Sequence, residues 1–307
     1  MKRERKVDFM IVGAQKCGTT TLAKLLSNHS SIVCCDKKEP SFFCSTDNWK
    51  QEISDYHSLF QWKEGALHFE ASTTYTWYPL YNAWKNLYAY NPDLKIIYIV
   101  RNPVDRIVSS YMHGYKHGYV DGDIEKAITE KPFLLNMTRY ATQIRPYIEH
   151  FGANQVKILF FEDLIRDQAI ITNQLSDFLE IDTEGFTDKD IHANKSVGNF
   201  KIHHKYNNPG IMLSVFQKYL PPLWKVITYN SARSFKKKPR LSVEQQEMIL
   251  YLMRNEITEL EDITDRNLDS WRETKKVETL ERPQKYDLRW YEAKIEGIKD
   301  KLKRKLT

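Results

Sequence analysis

The chain has 307 residues, a net charge of +6 and a hydrophobic content of 41%, which is ordinary for a globular protein in water. No run reaches the roughly 18 apolar residues that a membrane-spanning helix needs. The short apolar run after the basic N-terminus is also too short for a signal peptide. The sequence therefore predicts a cytoplasmic protein without a membrane span.

The cysteines and the charge distribution exclude other classes. All four cysteines lie near the N-terminus, in no zinc-binding spacing, so we expect free thiols and no metal; they are Cys17, Cys34, Cys35 and Cys44. Residues 285–307 hold eight Lys and Arg against four Asp and Glu. A solvated helix face is expected there, with a polyanion-binding tail as the alternative, and no nucleic-acid partner is predicted.

Predicted strands and helices alternate along the first 181 residues. Apolar runs rich in β-branched residues predict buried strands. In chain order, the expected elements are strand 7–12, helix 19–28, strands 31–35, 67–71 and 94–100, a helix from Pro103 to Gly114 or Gly118, helix 138–151, strand 155–161 and helix 163–181. The alternation predicts an α/β fold of the P-loop type, a parallel sheet flanked by helices, with ligands at the carboxyl ends of the strands.

The remainder of the chain is predicted to be helical, over 211–229, 242–263 and 286–306. We expect a single domain, 1–307, with an α/β core over 1–210 and a mainly helical part over 211–307. Apolar residues in the last helix are spaced alternately by three and four, at Leu288, Tyr291, Ile295, Ile298 and Leu302. Packing on the protein's own body is expected, and a homodimer contact is the alternative.

The stretch GAQKCGTTT, residues 13–21, lies between a predicted strand and a predicted helix. Its glycines have the spacing of a phosphate-binding loop, but the lysine is inside the loop and a threonine follows the second glycine. Amide groups at a helix start bind anions, and threonine hydroxyls add donors. The expected phosphate contacts are Gly13, Gln15, Lys16, Cys17, Gly18, Thr19, Thr20 and Thr21; an ordinary glycine-containing turn is the alternative.

A second cluster follows the strand 94–100, in VRNPVDRIVSSYMHG. Arg101 stands at the strand end, where a nucleotide triphosphatase would need an acidic residue for Mg²⁺. Ser109 and His113 are four residues apart on one helix face, and Arg106 is predicted to face the same way. For each residue alone, a capping or ion-pair role is the alternative. Two anion sites at two strand ends imply a nucleotide with two separated phosphates, handled without metal.

These two motifs together resemble the sulfotransferases that use 3′-phosphoadenosine-5′-phosphosulfate (PAPS). Further segments fit in the same order: KEPSFF (38–43), FEAS (69–72), RYATQIRPYIEHFG (139–152) and VKILFFEDL (156–164). KEPSFF and FEAS are most similar to the heparan-sulfate-type branch and its bacterial relatives. The resemblance extends to about residue 182, and residues 241–271 resemble the C-terminal helices of that family.

The resemblance implies roles for individual residues. Lys16 stabilises the leaving 5′-phosphate, while Arg101 and Ser109 hold the 3′-phosphate. Glu39 is the base that takes the acceptor's proton, and His113 contacts the transferring sulfonate. A late loop, 194–201, would close over the nucleotide through Lys195, Ser196 and Gly198.

Residues expected to contact the acceptor are Glu39, His68, Glu70, Tyr75, His113 and Tyr140. His68 is a weaker rival base, and Glu70 is expected to orient Lys16 or the acceptor. Aromatic residues in 76–84 and 111–120 offer walls for an acceptor pocket, with core packing as the alternative.

The predicted function is transfer of the sulfonate group from PAPS to a hydroxyl or amine of a small natural product, glycan or glycolipid. Because the body of the chain is nearly neutral, we favour a soluble bacterial enzyme over one acting on a polyanionic sugar. A P-loop kinase and a non-catalytic phosphoadenosine-nucleotide-binding protein are the alternatives.

Overall fold

Five parallel strands form one sheet in the computed structural model, which describes residues 5–44, 48–120, 123–187, 238–239 and 241–275. The strands are β1 (Phe9–Gly13), β2 (Ile32–Cys34), β3 (Leu67–Ala71), β4 (Lys95–Val100) and β5 (Val156–Phe160). Their spatial order is β2-β3-β1-β4-β5. The predicted α/β fold with a parallel sheet is confirmed.

The central strands are buried on both faces. Every residue of β1 is buried, and so is every residue of β4 after Lys95. This agrees with their continuous apolar sequences, which are typical of strands covered by helices on either side. Across the β1–β3 pair, the rings of Phe9 and Phe69 stack with centroids 4.8 Å apart.

Helices connect the strands and cover the sheet. Those up to the fifth strand are α1 (Thr19–Ser27), α2 (Ile53–His57), α3 (Ala83–Tyr90), α4 (Pro103–His117), α5 (Ile124–Glu130), α6 (Phe133–Asn136) and α7 (Tyr140–Phe151). Asn102 begins α4 by accepting hydrogen bonds from the amides of Val104 and Asp105, and Gly118 ends it in a left-handed conformation. The predicted helix from Pro103 therefore has the longer of its two expected lengths.

The helix predicted over 163–181 is wrong in one respect, because two helices occupy this segment. They are α8 (Phe161–Arg166) and α9 (Gln168–Leu179). Between them Asp167 is extended, and its carboxylate accepts a hydrogen bond from the amide of Ala169. An aspartate in this position caps the start of a new helix, so the chain turns where a continuous apolar periodicity had indicated one helix.

A long C-terminal helix, α10 (Val243–Thr264), packs along the α/β core and is followed by α11 (Asp269–Arg272). Ser242 and Gln245 form a reciprocal capping box at its start, a motif that satisfies two helix-end amides. Arg145 of α7 pairs with Glu259 of α10. The expected helices at 211–229 and 286–306, the boundary at 210 and the dimer seam lie outside the described residues. Within the described ranges, no helix has the length and apolarity to cross a bilayer.

Candidate functional site

Four strand-end loops meet at one edge of the sheet, because the strands are parallel. They follow β1 (residues 14–18), β2 (35–41), β3 (72–76) and β4 (101–102). β1 lies in the middle of the sheet, with β3 and β2 on one side and β4 and β5 on the other. The chain therefore builds the sheet first to one side of β1 and then to the other. Such a switch in strand order opens a crevice that binds ligands in parallel α/β sheets.

Glycine is required at both ends of the loop after β1. A Cβ atom on Gly13 would lie 2.1 Å from Oγ1 of Thr76. At Gly18 the backbone is left-handed, with φ +96°, and a Cβ would lie 2.7 Å from the ring of Phe161. Both contacts are closer than atoms can approach, so the loop keeps its path only without side chains here.

The loop leads into the first turn of α1, which has the chemistry of an anion site. Thr19 and Thr21 are buried, Thr20 is half-buried, and no acidic residue lies in this turn. The first amides of a helix have no intrahelical partner and sit at its positive end. The helix start that the sequence predicted to bind the 5′-phosphate therefore carries hydroxyl residues and no opposing carboxylate.

We expect Gly18→Ala to lower the free energy of unfolding by about 2–3 kcal/mol, since it combines left-handed strain with overpacking against Phe161. Gly65→Ala is the matched control, because Gly65 also has a positive φ, +75°, but a Cβ there meets nothing within 4 Å. That variant should cost only the backbone strain, about 1 kcal/mol. Urea unfolding would measure both; equal losses would contradict a role for the Phe161 contact.

Arg101 lies beside the first loop, at the end of β4. Its guanidinium stacks over the ring of Phe161, 4.4 Å from the centroid, and Nη1 donates a long hydrogen bond of 3.5 Å to the carbonyl of Lys16. The amide of the next residue, Asn102, donates to Glu162 at 2.8 Å. Side chains from the end of β5 thus fix the arginine next to the loop that follows β1.

Arg106 lies three residues before Ser109 on α4, as predicted, but its guanidinium bonds protein oxygens in the interior. Arg106 is completely buried, and its Nε donates to the carbonyl of Gln15 at 3.1 Å. Its Nη1 donates to the carbonyl of Leu134 and the hydroxyl of Thr138, at 2.8 and 3.0 Å. Arg106 therefore supports the loop from beneath, because three carbonyl or hydroxyl oxygens compensate for its burial.

Glu39 is brought to this edge by the loop after β2. The Thr73 hydroxyl donates to Oε2 of Glu39 at 3.4 Å. The amide of Ser41 donates to the Ser72 hydroxyl at 3.0 Å, and Thr74 donates to the Ser41 hydroxyl at 2.7 Å. Three consecutive hydroxyl residues after β3 thus hold the Glu39 loop.

Three residues of the site have left-handed backbone conformations. They are Lys16 (φ 71°), Glu39 (φ 50°) and Ser41 (φ 54°). For residues other than glycine such conformations cost of order 1–3 kcal/mol and collect at functional sites. The surrounding hydrogen bonds retain them here.

Glu70, on β3, lies in the protein interior rather than on a ligand surface. Its side chain is fully buried, and neither carboxyl oxygen makes a well-formed hydrogen bond. Burial raises the pKa of this carboxyl to about 7, and the neighbouring hydroxyls of Tyr75, Tyr56 and Ser72 oppose the shift. Glu70 is connected to the Glu39 loop through Ser72, and its complete burial leaves no exposed surface for the predicted acceptor contact.

This raised pKa predicts a pH-dependent stability. Below pH 4.5 Glu70 is protonated in the folded and unfolded states, whereas between pH 4.5 and about 7 only the unfolded chain ionises. The stability contribution of protonated Glu70 is therefore lost as pH rises through this window. Glu70→Gln should be more stable than the native chain at pH 8 by about 3 kcal/mol, and equally stable near pH 4.

Urea unfolding across pH 4–8 would measure the difference. Glu247→Gln, an exposed position on α10, is the control and should show no such window. A difference for Glu70→Gln that is constant with pH would contradict the assignment.

The structure does not bring His68 to the site. It is the second residue of β3, at the amino edge of the sheet, and it is buried. Its Nε2 accepts from the amide of Lys63 at 3.0 Å, and Nδ1 lies 3.6 Å from a carboxylate oxygen of Asp8. The prediction that His68 is a rival base or acceptor contact is wrong, because both ring nitrogens face protein partners at the opposite edge.

Tyr75 and Tyr140 are structural rather than acceptor contacts. Both are buried. The Tyr75 hydroxyl accepts from the amide of Phe43 at 3.3 Å, within the packed aromatic cluster. The Tyr140 hydroxyl donates to the carbonyl of Arg101 at 2.8 Å and lies 3.5 Å from Sγ of Cys17. Tyr140 therefore touches both anion loops from the interior.

Ser109 and His113 share α4, as predicted. Ser109 is buried, and His113 is half-buried with its ring 4.4 Å from that of His117. Their contacts to a phosphate and to the sulfonate stay predictions. The late loop with Lys195, Ser196 and Gly198 lies outside the described residues.

Phe161 and Glu162 are site residues that sequence reasoning missed. Phe161 touches Gly18 and stacks on Arg101, and Glu162 holds Asn102. The available signal was position: β5 runs straight into α8 without a loop, so the residues at that junction must face the same edge as Arg101.

A sulfotransferase domain profile matches residues 6–261. A bifunctional heparan sulfate N-deacetylase/N-sulfotransferase 1 from Caenorhabditis briggsae is 26% identical over 196 residues, or 57% of this chain and 22% of that protein. A heparan sulfate glucosamine 3-O-sulfotransferase 3A1 from Mus musculus is 25% identical over 199 residues, or 62% of this chain and 49% of that protein. The chain thus spans half or less of these relatives.

Among solved structures, the fold is similar to that of a sulfotransferase from Alicyclobacillus acidocaldarius. The TM-score is 0.62 and the sequence identity 24%, covering 88% of this chain and 100% of that one. Because the profile match extends over most of the chain, this protein belongs to the sulfotransferase domain family.

Proposed function

We propose that this protein is an enzyme that transfers the sulfonate group of PAPS to a hydroxyl or amine of a small natural product, glycan or glycolipid. The main support is one observation: the loop after β1 and the residues that follow β4 lie side by side at the sheet edge, joined by the contact between Arg101 and the Lys16 carbonyl. A nucleotide with phosphates at two separated positions matches this arrangement.

The donor set fits each end of PAPS. The start of α1 offers amides and the hydroxyls of Thr19, Thr20 and Thr21 for the 5′ group, with no acidic residue in that turn. Arg101 offers a planar guanidinium and Ser109 a hydroxyl for the 3′-phosphate. Phe161 stacks on the Arg101 guanidinium and holds it in place, while the carboxylates of Asp105 and Glu162 lie near enough to interact with its charge.

Lys16 and Glu39 carry the chemistry in this proposal. PAPS, the donor substrate, supplies an activated sulfonate. Lys16 stabilises the negative charge that grows on the oxygen of the departing 5′-phosphate, a role typical of preorganised charge stabilisation. Glu39 accepts the proton of the attacking hydroxyl or amine, and its hydrogen bond from Thr73 orients the carboxylate.

Aromatic side chains next to the Glu39 loop provide a surface for the acceptor. The short turn after β3 that carries Thr73 continues into Trp77, whose ring stacks with that of Tyr81 at 6.3 Å, and Leu80 is 68% exposed. Apolar and aromatic walls favour an acceptor with a ring or sugar face. The names of the relatives point to glycans, which is why sugars belong in the acceptor set.

The test is incubation of the purified protein with PAPS carrying labelled sulfur and a panel of acceptors. The panel includes phenols, glycolipids and desulfated glucosamine-containing oligosaccharides. Mass spectrometry should show an 80-Da gain in one acceptor class, the mass of an added SO₃ group, together with release of 3′-phosphoadenosine-5′-phosphate (PAP). Mg²⁺-dependent turnover of ATP without any transfer from PAPS would instead establish a kinase.

A further inference from the structure

A buried chain of contacts joins the two anion loops below the ligand surface. The hydroxyl of Tyr140, on α7, donates its only proton to the carbonyl of Arg101 at 2.8 Å. The same oxygen lies 3.5 Å from Sγ of Cys17, in the middle of the 5′-phosphate loop. Because the hydroxyl proton is already given to a carbonyl, the Cys17 thiol is the donor in the second contact. The other acceptor within its reach, the carbonyl of Gln15, is more distant at 3.9 Å.

The thiol is suited to that role. Cys17 is fully buried, and burial raises its pKa to about 11 against the opposing charge of Arg106. It therefore keeps its proton at neutral pH and remains a donor. The hydroxyl of Tyr140 thus contacts both loops from the protein interior.

Other buried contacts stiffen the same connection. Arg106, three residues before Ser109 on α4, donates to the carbonyl of Gln15, so the helix that carries Ser109 also holds the 5′-phosphate loop. On the outer side, Phe161 lies between Gly18 and Arg101. A displacement of either loop must therefore move the other, since close-packed interiors transmit strain.

We infer that Tyr140 is a positioning residue that couples the two anion sites, so that a phosphate bound at Arg101 strengthens binding of the 5′ group at the first loop. This inference rests on the proposed function. Coupling would let the enzyme bind a nucleotide phosphorylated at both positions more tightly than the binding free energies of the two separate phosphate contacts would add up to. The enzyme would thereby select this nucleotide over one with a single phosphate. Coupling between sites is a measurable ratio of affinities.

The test is a ligand cycle measured by titration calorimetry with adenosine, 5′-AMP, 3′-AMP and PAP. The coupling factor is the product of the dissociation constants of the two monophosphates divided by the product of those of adenosine and PAP. In Tyr140→Phe this factor should fall about tenfold relative to the native protein, a typical size for coupling between sites. The repulsion between the phosphates is the same for both proteins and cancels.

Tyr147→Phe is the matched control. Tyr147 lies on the same helix, is equally buried, and also donates its hydroxyl proton to a backbone carbonyl, that of Tyr75, at 2.7 Å. Its loss should lower stability similarly and leave the coupling factor unchanged. Cys17→Ala, which removes the other end of the link, should reproduce the effect of Tyr140→Phe, and the double variant should add nothing further.

The outcomes are distinct. A coupling factor that is unchanged in Tyr140→Phe and in Cys17→Ala overturns the inference, and so does an equal fall in Tyr147→Phe. If the native protein binds PAP no better than adenosine, the donor assignment in the proposed function fails instead.

Discussion

Replacing Lys16 by alanine is expected to slow sulfonate transfer about 100-fold or more, the usual cost of losing one donor that stabilises charge in a transition state. Lys16 lies inside the loop between Gly13 and Gly18, and its carbonyl is already held by Arg101. The backbone contacts survive the substitution. The loss should therefore appear mainly in kcat, with PAP affinity changed much less.

Initial rates of PAP release at saturating donor and acceptor would measure this effect. Lys24→Ala is the control, because Lys24 is an exposed lysine in the last turn of α1 and should leave kcat unaltered. A Lys16→Ala protein with native kcat would refute the role given to Lys16.

Glu39→Gln is the second large expected effect. General-base catalysis contributes roughly 10²–10⁴-fold to rate, and glutamine keeps the shape and the hydrogen bond from Thr73 but cannot take a proton. We expect kcat to fall within that range while the affinity for PAP stays the same. The separation is expected because the side-chain hydrogen bond of Glu39 goes to Thr73, in the turn after β3, and glutamine can keep it.

Rate measurements with a series of acceptors sharpen this test. An acceptor of lower pKa, such as a nitrophenol, needs less help from a base, so it should suffer less from Glu39→Gln than an alcohol does. Glu64→Gln, at an exposed position, is the control. Equal losses for all acceptors would argue that Glu39 holds the acceptor rather than accepting its proton.

Much of the architecture could be predicted because it depends on local patterns. The run at 94–100 is apolar without alternation, which predicts a buried strand, and Pro103 follows it closely, which predicts a helix start. Both predictions use only neighbouring residues. The two candidate anion loops lie in short segments directly after strands, where glycine spacing and Arg101 mark them; their ligands stay predictions.

The errors concern directions that depend on distant parts of the chain. Helical spacing put Arg106 on the face of Ser109, but it could not show that Gln15, Leu134 and Thr138 surround its guanidinium. His68 could have been excluded from the site by sequence alone, because it lies at the start of a strand and the site is at the opposite, carboxyl end. Phe161 was hidden because its two partners, Gly18 and Arg101, come from loops far away in sequence.

The left-handed backbone at Lys16 and Glu39 has a consequence for engineering. At both positions glycine would relieve conformational strain and asparagine would tolerate it better. A library of variants that is screened only for heat resistance should therefore enrich these replacements. The selected proteins would lose activity, because replacing either residue increases stability but removes a side chain proposed to act in the reaction. Engineering of this protein for thermal stability should keep residues 16 and 39 unchanged and vary other positions.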